Sequence, residues 1–115
     1  MSRIRVEGKK PIRGELAIQG SKNAALPILA ATILVSGESV LVDCPDITDV
    51  QETIYLLKKL GCKVEKERDA LRINAMQIDS DEVTDKTAAN SRISVMLLAA
   101  LIGRKKRAVA AYPGG

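Results

Sequence analysis

The sequence predicts an α/β fold assembled from a small repeated unit, and three features point there. Stretches in which apolar and polar residues alternate, such as 39–42 and 71–73, are interleaved with stretches of helical period. The clearest of the latter places Val50, Ile54, Leu57 and Leu60 on one face. The core material is aliphatic: the chain is 46% hydrophobic but has two tyrosines, no Phe and no Trp, which suits sheets packed on helices. Finally, the chain overlays itself at an offset of 70 residues. Ser21-Lys22 falls on Ser91-Arg92, Ile28 on Leu98, Ala30 on Ala100, and the stretch 39–42 on 109–112. The chain reads as one strand–helix–strand–helix–strand–strand unit followed by the start of a second. A repeat without its neighbour leaves apolar surface uncovered.

Taken in order, Ile4 and Val6 alternate with Arg3, Arg5 and Glu7 as a half-buried strand. Gly8-Lys9-Lys10-Pro11 is a turn, and Leu16 and Ile18 form a second strand that pairs with the first as a hairpin. A helix opens at Ser21, with Ser21 as its cap and Pro27 near its first turn. The helix is apolar nearly all round as far as Val35, so it is expected to be buried on more than one side, and Gly37 stops it. A strand at 39–42 leads through the turn Asp43-Cys44-Pro45-Asp46 to the second helix. Thr48 and Gln51 resemble a capping box there, and Gly61 ends the helix. Two strands flank a polar turn at Arg68-Asp69, and residues 77–87 read as an acidic, solvated loop. A third helix runs from about Ser91 to Ile102, followed by a charged turn at 103–107 and a strand at 109–112.

Composition excludes several classes of chemistry. There is no histidine, so no histidine base or metal ligand is available within the chain. Cys44 and Cys62 lie far apart without a Cys-x-x-Cys pattern, so no metal site and no disulfide framework is expected. Two free thiols suit a reducing, cytoplasmic setting. The charged start, Met1-Ser2-Arg3-Ile4-Arg5, is not a secretory signal, and the apolar run 24–35 is too short to span a membrane. A net charge of +4 suits an anionic substrate. Arg104-Lys105-Lys106-Arg107 could serve as a nucleic-acid patch. The near absence of aromatics to stack on bases argues against that reading, so no nucleic-acid partner is expected.

The chain is organised around Gly20-Ser21-Lys22-Asn23-Ala24-Ala25-Leu26-Pro27. A helix start leaves backbone N–H groups unpaired and carries partial positive charge. Lys22 adds a cation there, and Asn23 can donate and accept beside it, which makes a candidate anion site. A capped helix with a solvated lysine is the plainer alternative. The repeat places Arg92 equivalently on the later helix.

Arg5-Val6-Glu7-Gly8, Gly14-Glu15-Leu16, the stretch 20–31, Leu60-Gly61-Cys62-Lys63-Val64 and Pro113-Gly114-Gly115 together resemble the N-terminal part of the UDP-N-acetylglucosamine enolpyruvyl transferases. The resemblance covers essentially the whole chain, and its Ser-Lys-Asn-Ala-Ala-Leu-Pro motif is specific. The shikimate-pathway enolpyruvyl transferases share the fold and a lysine at the matching site, but differ in sequence around it. The resemblance implies an inside-out α/β barrel of two lobes, each made of repeated small α/β units. Residues 1–20 would supply two strands to the second lobe, and residues 21–115 an incomplete first lobe.

The implied reaction is the first committed step of peptidoglycan synthesis. The enolpyruvyl group of phosphoenolpyruvate moves to the 3′-hydroxyl of UDP-N-acetylglucosamine, and phosphate is released. No cofactor is implied. Lys22 and Asn23 match contacts to phosphoenolpyruvate, and Arg92 matches the contact to the UDP-sugar. Around Arg92 the run is Ser91-Arg92-Ile93-Ser94 instead of the commoner Met-Arg-Ala-Ser. The family's catalytic cysteine follows Pro-Gly-Gly, a position beyond Gly115, so no catalytic residue is assigned here. Cys44 and Cys62 do not inherit its role. The segment is expected to act only with the remainder of the enzyme. In isolation it is expected to be inactive and prone to self-association. The alternative readings are a segment of a shikimate-pathway-type enolpyruvyl transferase and a stand-alone anion-binding or interaction module.

Overall fold

Three α-helices and five strands make up the described part of the chain, which in this computed structural model comprises residues 3–9, 11, 13–16, 20–84 and 91–110. The side chains of Lys22 and Ser91 lie outside that description. A three-stranded antiparallel sheet has the order β1 (Glu38–Val42), β3 (Ala70–Asn74), β2 (Lys63–Lys66). A second sheet pairs β4 (Glu82–Val83) in parallel with β5 (Val109–Ala110). The helices are α1 (Lys22–Ala31), continued by a 3-10 turn at Thr32–Leu34, then α2 (Thr48–Lys59) and α3 (Ser91–Lys105).

The sheet follows its sequence alternation. Leu41 lies opposite Leu71, while Ser39 and Val64 both lie opposite Ile73, so one face is apolar. Leu71 and Ile73 are buried on it in one cluster with Leu26 and Leu29 of α1, Ile33 of the 3-10 turn, Leu56 and Leu57 of α2 and Leu60 at the end of α2. On the outer face Arg72 forms ion pairs with Glu38 at 2.8 Å and with Glu67, which bridges β1, β3 and the β2–β3 turn. Both carboxylates hold the guanidinium protonated still more firmly than usual. Such exposed pairs stabilise weakly.

The end of α2 is closed by a Schellman motif. Cys62 N–H donates to Leu57 O at 3.1 Å and Gly61 N–H to Lys58 O at 3.1 Å. Gly61 has φ +112°, and a Cβ on it would meet the Asp79 backbone nitrogen at 2.9 Å. Gly61→Ala in a full-length protein carrying this segment should therefore cost about 1–3 kcal/mol of stability. Equilibrium urea unfolding measures it, and an unchanged midpoint would contradict it.

Several sequence expectations are corrected. Residues 3–9, 11 and 13–16 form no strand, so the hairpin is not found among the described residues. Ile4, Val6 and Leu16 are 90%, 85% and 88% exposed, and no apolar face among the described residues covers them. Residues 17–19, including Ile18 of the second expected strand, lie outside the described residues. Ser21 stands at the cap position of α1 in extended backbone, yet its side chain makes no cap bond. The Thr48–Gln51 box does not form either, because α2 is capped by Ile47 and Gln51 Nε2 donates instead to Asp46 Oδ1 at 3.0 Å. Pro27 sits in the second turn of α1, on its exposed side, and offers no N–H to the Asn23 carbonyl.

Burial of α1 is one-sided: Leu26, Leu29 and Ala30 are covered, whereas Ile28 is 48% exposed. The acidic stretch is not simply solvated, because Ile78 and Val83 are buried and Glu82–Val83 pairs with β5; residues 85–87 lie outside the described part. The expected charged turn after Ile102 is instead the last turn of α3, which runs on to Lys105. Residues 111–115 lie outside the described residues.

Candidate anion site at two helix starts

The start of α1 is set by a close backbone approach. A Cβ at Gly20 would lie 2.0 Å from the Asp43 carbonyl oxygen, so only glycine fits between the β1 exit and the helix. Asp43 itself turns the chain with φ +56°. The helix then begins with Ala25 N–H donating to Ser21 O at 2.9 Å. Lys22 is the first helical residue and Asn23 the second, and Asn23 is exposed.

The start of α3 lies beside it. Arg92 Nη1 donates to Asn23 Oδ1 over a long 3.4 Å, joining residues 69 apart in sequence. Leu26, Leu29 and Ile33 pack with Ile93, Leu97 and Leu101 in one buried cluster. At the other ends, Arg104 of α3 donates from Nη1 to Ile33 O at 2.7 Å. The two helices therefore run side by side in the same direction, with their N-termini together. Each N-terminus contributes partial positive charge and early backbone N–H groups. Two such ends beside an arginine have the chemistry that receives an anion. The structure brings together Asn23 and Arg92 and places the backbone of Lys22 beside them. The side chain of Lys22 lies outside the described part.

The thiols stand apart from this site. Burial pushes the Cys44 and Cys62 thiols up from their ordinary value, partly offset by Lys66 and Arg104 respectively. Raised values keep both in the weakly nucleophilic thiol form. An open cleft of about 590 Å³ lies near Cys44, Gln51 and Arg68 and touches Gly20, but neither Asn23 nor Arg92 lines it. At its rim Asp46 is held below the usual carboxylate range by the Gln51 hydrogen bond and by Lys66 at 3.2 Å. Among the described residues no group of three or more Cys, Asp or Glu could hold a metal ion, and no helix is long and apolar enough to cross a membrane.

Two contributors were missed in the sequence. The Gly20 contact with Asp43 is signalled only by a glycine before a helix, which fits many turns. The basic run 104–107 reads as a surface patch, yet three of its cations are committed within the fold. Arg104 donates to three backbone carbonyls, Lys105 to Ile78 O at 2.8 Å, and Arg107 lies 3.5 Å from Asp81.

The described α/β elements thus set two helix starts and the Arg92 cation side by side. Residues 6–115 match the family model described as EPSP synthase (3-phosphoshikimate 1-carboxyvinyltransferase), and the chain belongs to that family; its α/β units are part of the enolpyruvyl transferase fold. Over its whole length it is 39% identical to UDP-N-acetylglucosamine 1-carboxyvinyltransferase 2 of Caldanaerobacter subterraneus subsp. tengcongensis, covering 28% of that protein. It is 41% identical, again over its whole length, to UDP-N-acetylglucosamine 1-carboxyvinyltransferase of Sorangium cellulosum, covering 27% of it. Against the enzyme of that name from Mycobacterium bovis the identity is 40% over 113 residues, 98% of this chain and 27% of the relative. The chain thus spans just over a quarter of the length of these relatives.

Proposed function

We propose that this chain is the part of a UDP-N-acetylglucosamine 1-carboxyvinyltransferase that gathers its two anionic substrates, phosphoenolpyruvate and UDP-N-acetylglucosamine. The names of its relatives and the convergence of two helix starts support this reading. The observation that carries it is the contact of Arg92 with Asn23, which joins the two cation-bearing starts into one site. In the reaction the sugar 3′-hydroxyl gives up its proton to a base as its oxygen bonds to C2 of phosphoenolpyruvate, and a proton is added at C3 from an acid, giving a tetrahedral intermediate. The C2–O bond to phosphate then breaks, C3 loses a proton, and the enol ether and phosphate leave.

Lys22 neutralises phosphate or carboxylate charge, Asn23 orients the reacting centre, and Arg92 holds the UDP-sugar. Holding two polyanions in contact is the main task of such a site, and fixed cations perform it without reorganisation. The cysteine and the carboxylate base of the reaction belong to the remainder of the enzyme. Ile4, Val6 and Leu16, together with the exposed Ile28, Val95 and Ile102, are the apolar surface that the remainder covers. The setting is the cytoplasm, and the product serves cell-wall peptidoglycan synthesis.

In a full-length enzyme carrying this segment, Arg92→Ala should raise KM for UDP-N-acetylglucosamine about tenfold or more and change that for phosphoenolpyruvate less. This corresponds to losing a charge-assisted contact of about 1.5–3 kcal/mol. The description of the matching family names 3-phosphoshikimate transfer, so the assay of phosphate release offers both acceptors. Release with 3-phosphoshikimate and none with the UDP-sugar would replace the proposed acceptor. Release with neither would reject transfer altogether.

A further inference from the structure

We propose that Arg104 is a positioning residue for the anion site, holding the register of α3 against α1 from the far end of both helices. The inference rests on the site proposed above and identifies what keeps it assembled. Arg104 is in the last turn of α3, 12 residues beyond Arg92, which is about 18 Å along a helix. Its guanidinium donates from Nη1 to Ile33 O at 2.7 Å and more weakly to Val35 O at 3.5 Å, and from Nη2 to Met76 O at 2.9 Å. One side chain thus ties the end of α3 to the 3-10 turn that closes α1 and to the loop after β3.

The chemistry suits that role. The last carbonyls of a helix have no intrahelical donor, and they carry partial negative charge that favours a cation. A planar fork holds carbonyls on two segments in a fixed geometry, whereas the three donors of an ammonium rotate about a flexible stem. Between the two ends the helices touch through Leu26, Leu29, Leu97 and Leu101. Apolar contact of this kind is non-directional, so it holds the helices together without fixing how far one slides along the other. The hydrogen bonds at the ends do fix it, and both ends agree: Arg92 pairs with a residue 69 positions away, and Arg104 with residues 69 and 71 away. A slide of about 1 Å at the Arg104 end is transmitted along a rigid helix to the 3.4 Å contact of Arg92 with Asn23. Misplacement of that size can cost about a hundredfold in rate.

The test uses a full-length enzyme carrying this segment, with Arg104→Lys, Arg104→Met, Lys105→Met and Arg92→Ala made separately. Lys105 is the neighbouring cation, but its bond goes to Ile78 O, outside α1. Kinetics in both substrates are measured well below each variant's melting temperature. Arg104→Met should lower kcat/KM for both substrates roughly ten- to a hundredfold, and Arg104→Lys should recover part of that loss. Lys105→Met should lower Tm alone. If Arg104→Met does not fold, the comparison of Arg104→Lys with Lys105→Met decides. Arg104 variants that lose Tm but keep wild-type kinetics, while Arg92→Ala is impaired, would overturn the positioning role and leave the site standing. Arg92→Ala with wild-type kinetics would instead overturn the site itself.

Discussion

Lys22→Ala, in a full-length carboxyvinyltransferase carrying this segment, should weaken the use of phosphoenolpyruvate by roughly ten- to a hundredfold. Lys22 is the first residue of α1, where the backbone N–H groups have no helical partner and the helix end is positive. The Arg92 side chain reaches Asn23, one residue on, so a phosphate or carboxylate seated there meets an arginine and two helix ends, and the proposed role of Lys22 adds a second cation. Removing one charge-assisted contact from such a site costs about 1.5–3 kcal/mol, which gives the stated range. Lys22→Arg should restore only part of the activity, because a broad planar fork does not replace a compact ammonium in a confined site. Steady-state kinetics with phosphoenolpyruvate varied at saturating UDP-sugar measures this. A Lys22→Ala enzyme with unchanged kcat/KM would mark the lysine as a solvated cation.

Gly20→Ala should be equally damaging although it removes no functional group. The new Cβ would lie 2.0 Å from the Asp43 oxygen and 3.2 Å from its carbon, both backbone atoms that no rotamer change can move. Either the β1 exit or the start of α1 must shift by about an ångström. The start of α1 carries Lys22 and Asn23, so the expected loss in kcat/KM is about a hundredfold, with a lower melting temperature. Ala24→Gly, at an exposed helical position nearby, should cost only about 1 kcal/mol of stability and little activity. Full activity of Gly20→Ala would mean that the close approach to Asp43 does not position the site.

Local signals made the three helices, β1 and the β2–β3 pair legible in the sequence. Gly61 could be read as a stop because a left-handed C-cap position selects glycine whatever the tertiary context. The repeat showed that Lys22 and Arg92 stand equivalently at helix starts, but the side-by-side packing of α1 and α3 was not legible, since it depends on contacts between residues about 70 apart. Other features depended on partners distant in sequence. Glu82 and Val83 read as loop because their pairing residues, Val109 and Ala110, come only after a whole helix. The end of α3 was placed too early because Arg104 and Lys105 look like surface charge until the carbonyls they reach are known. Ile4 and Val6 have the alternation of a strand, but a strand needs an edge to join, and no described part of this chain offers them one. The capping box failed for a subtler reason: Asp46 lies within reach of Gln51 and competes for it.

Calorimetric titration of phosphoenolpyruvate and of UDP-N-acetylglucosamine, each into wild-type, Lys22→Ala and Arg92→Ala full-length enzyme, tests most directly whether the two helix starts form one site with separate anion positions. The expected pattern is crossed: Lys22→Ala weakens phosphoenolpyruvate binding by about tenfold or more and UDP-sugar binding less, and Arg92→Ala does the reverse. Identical losses for both ligands in both variants, or no loss in either, would contradict it.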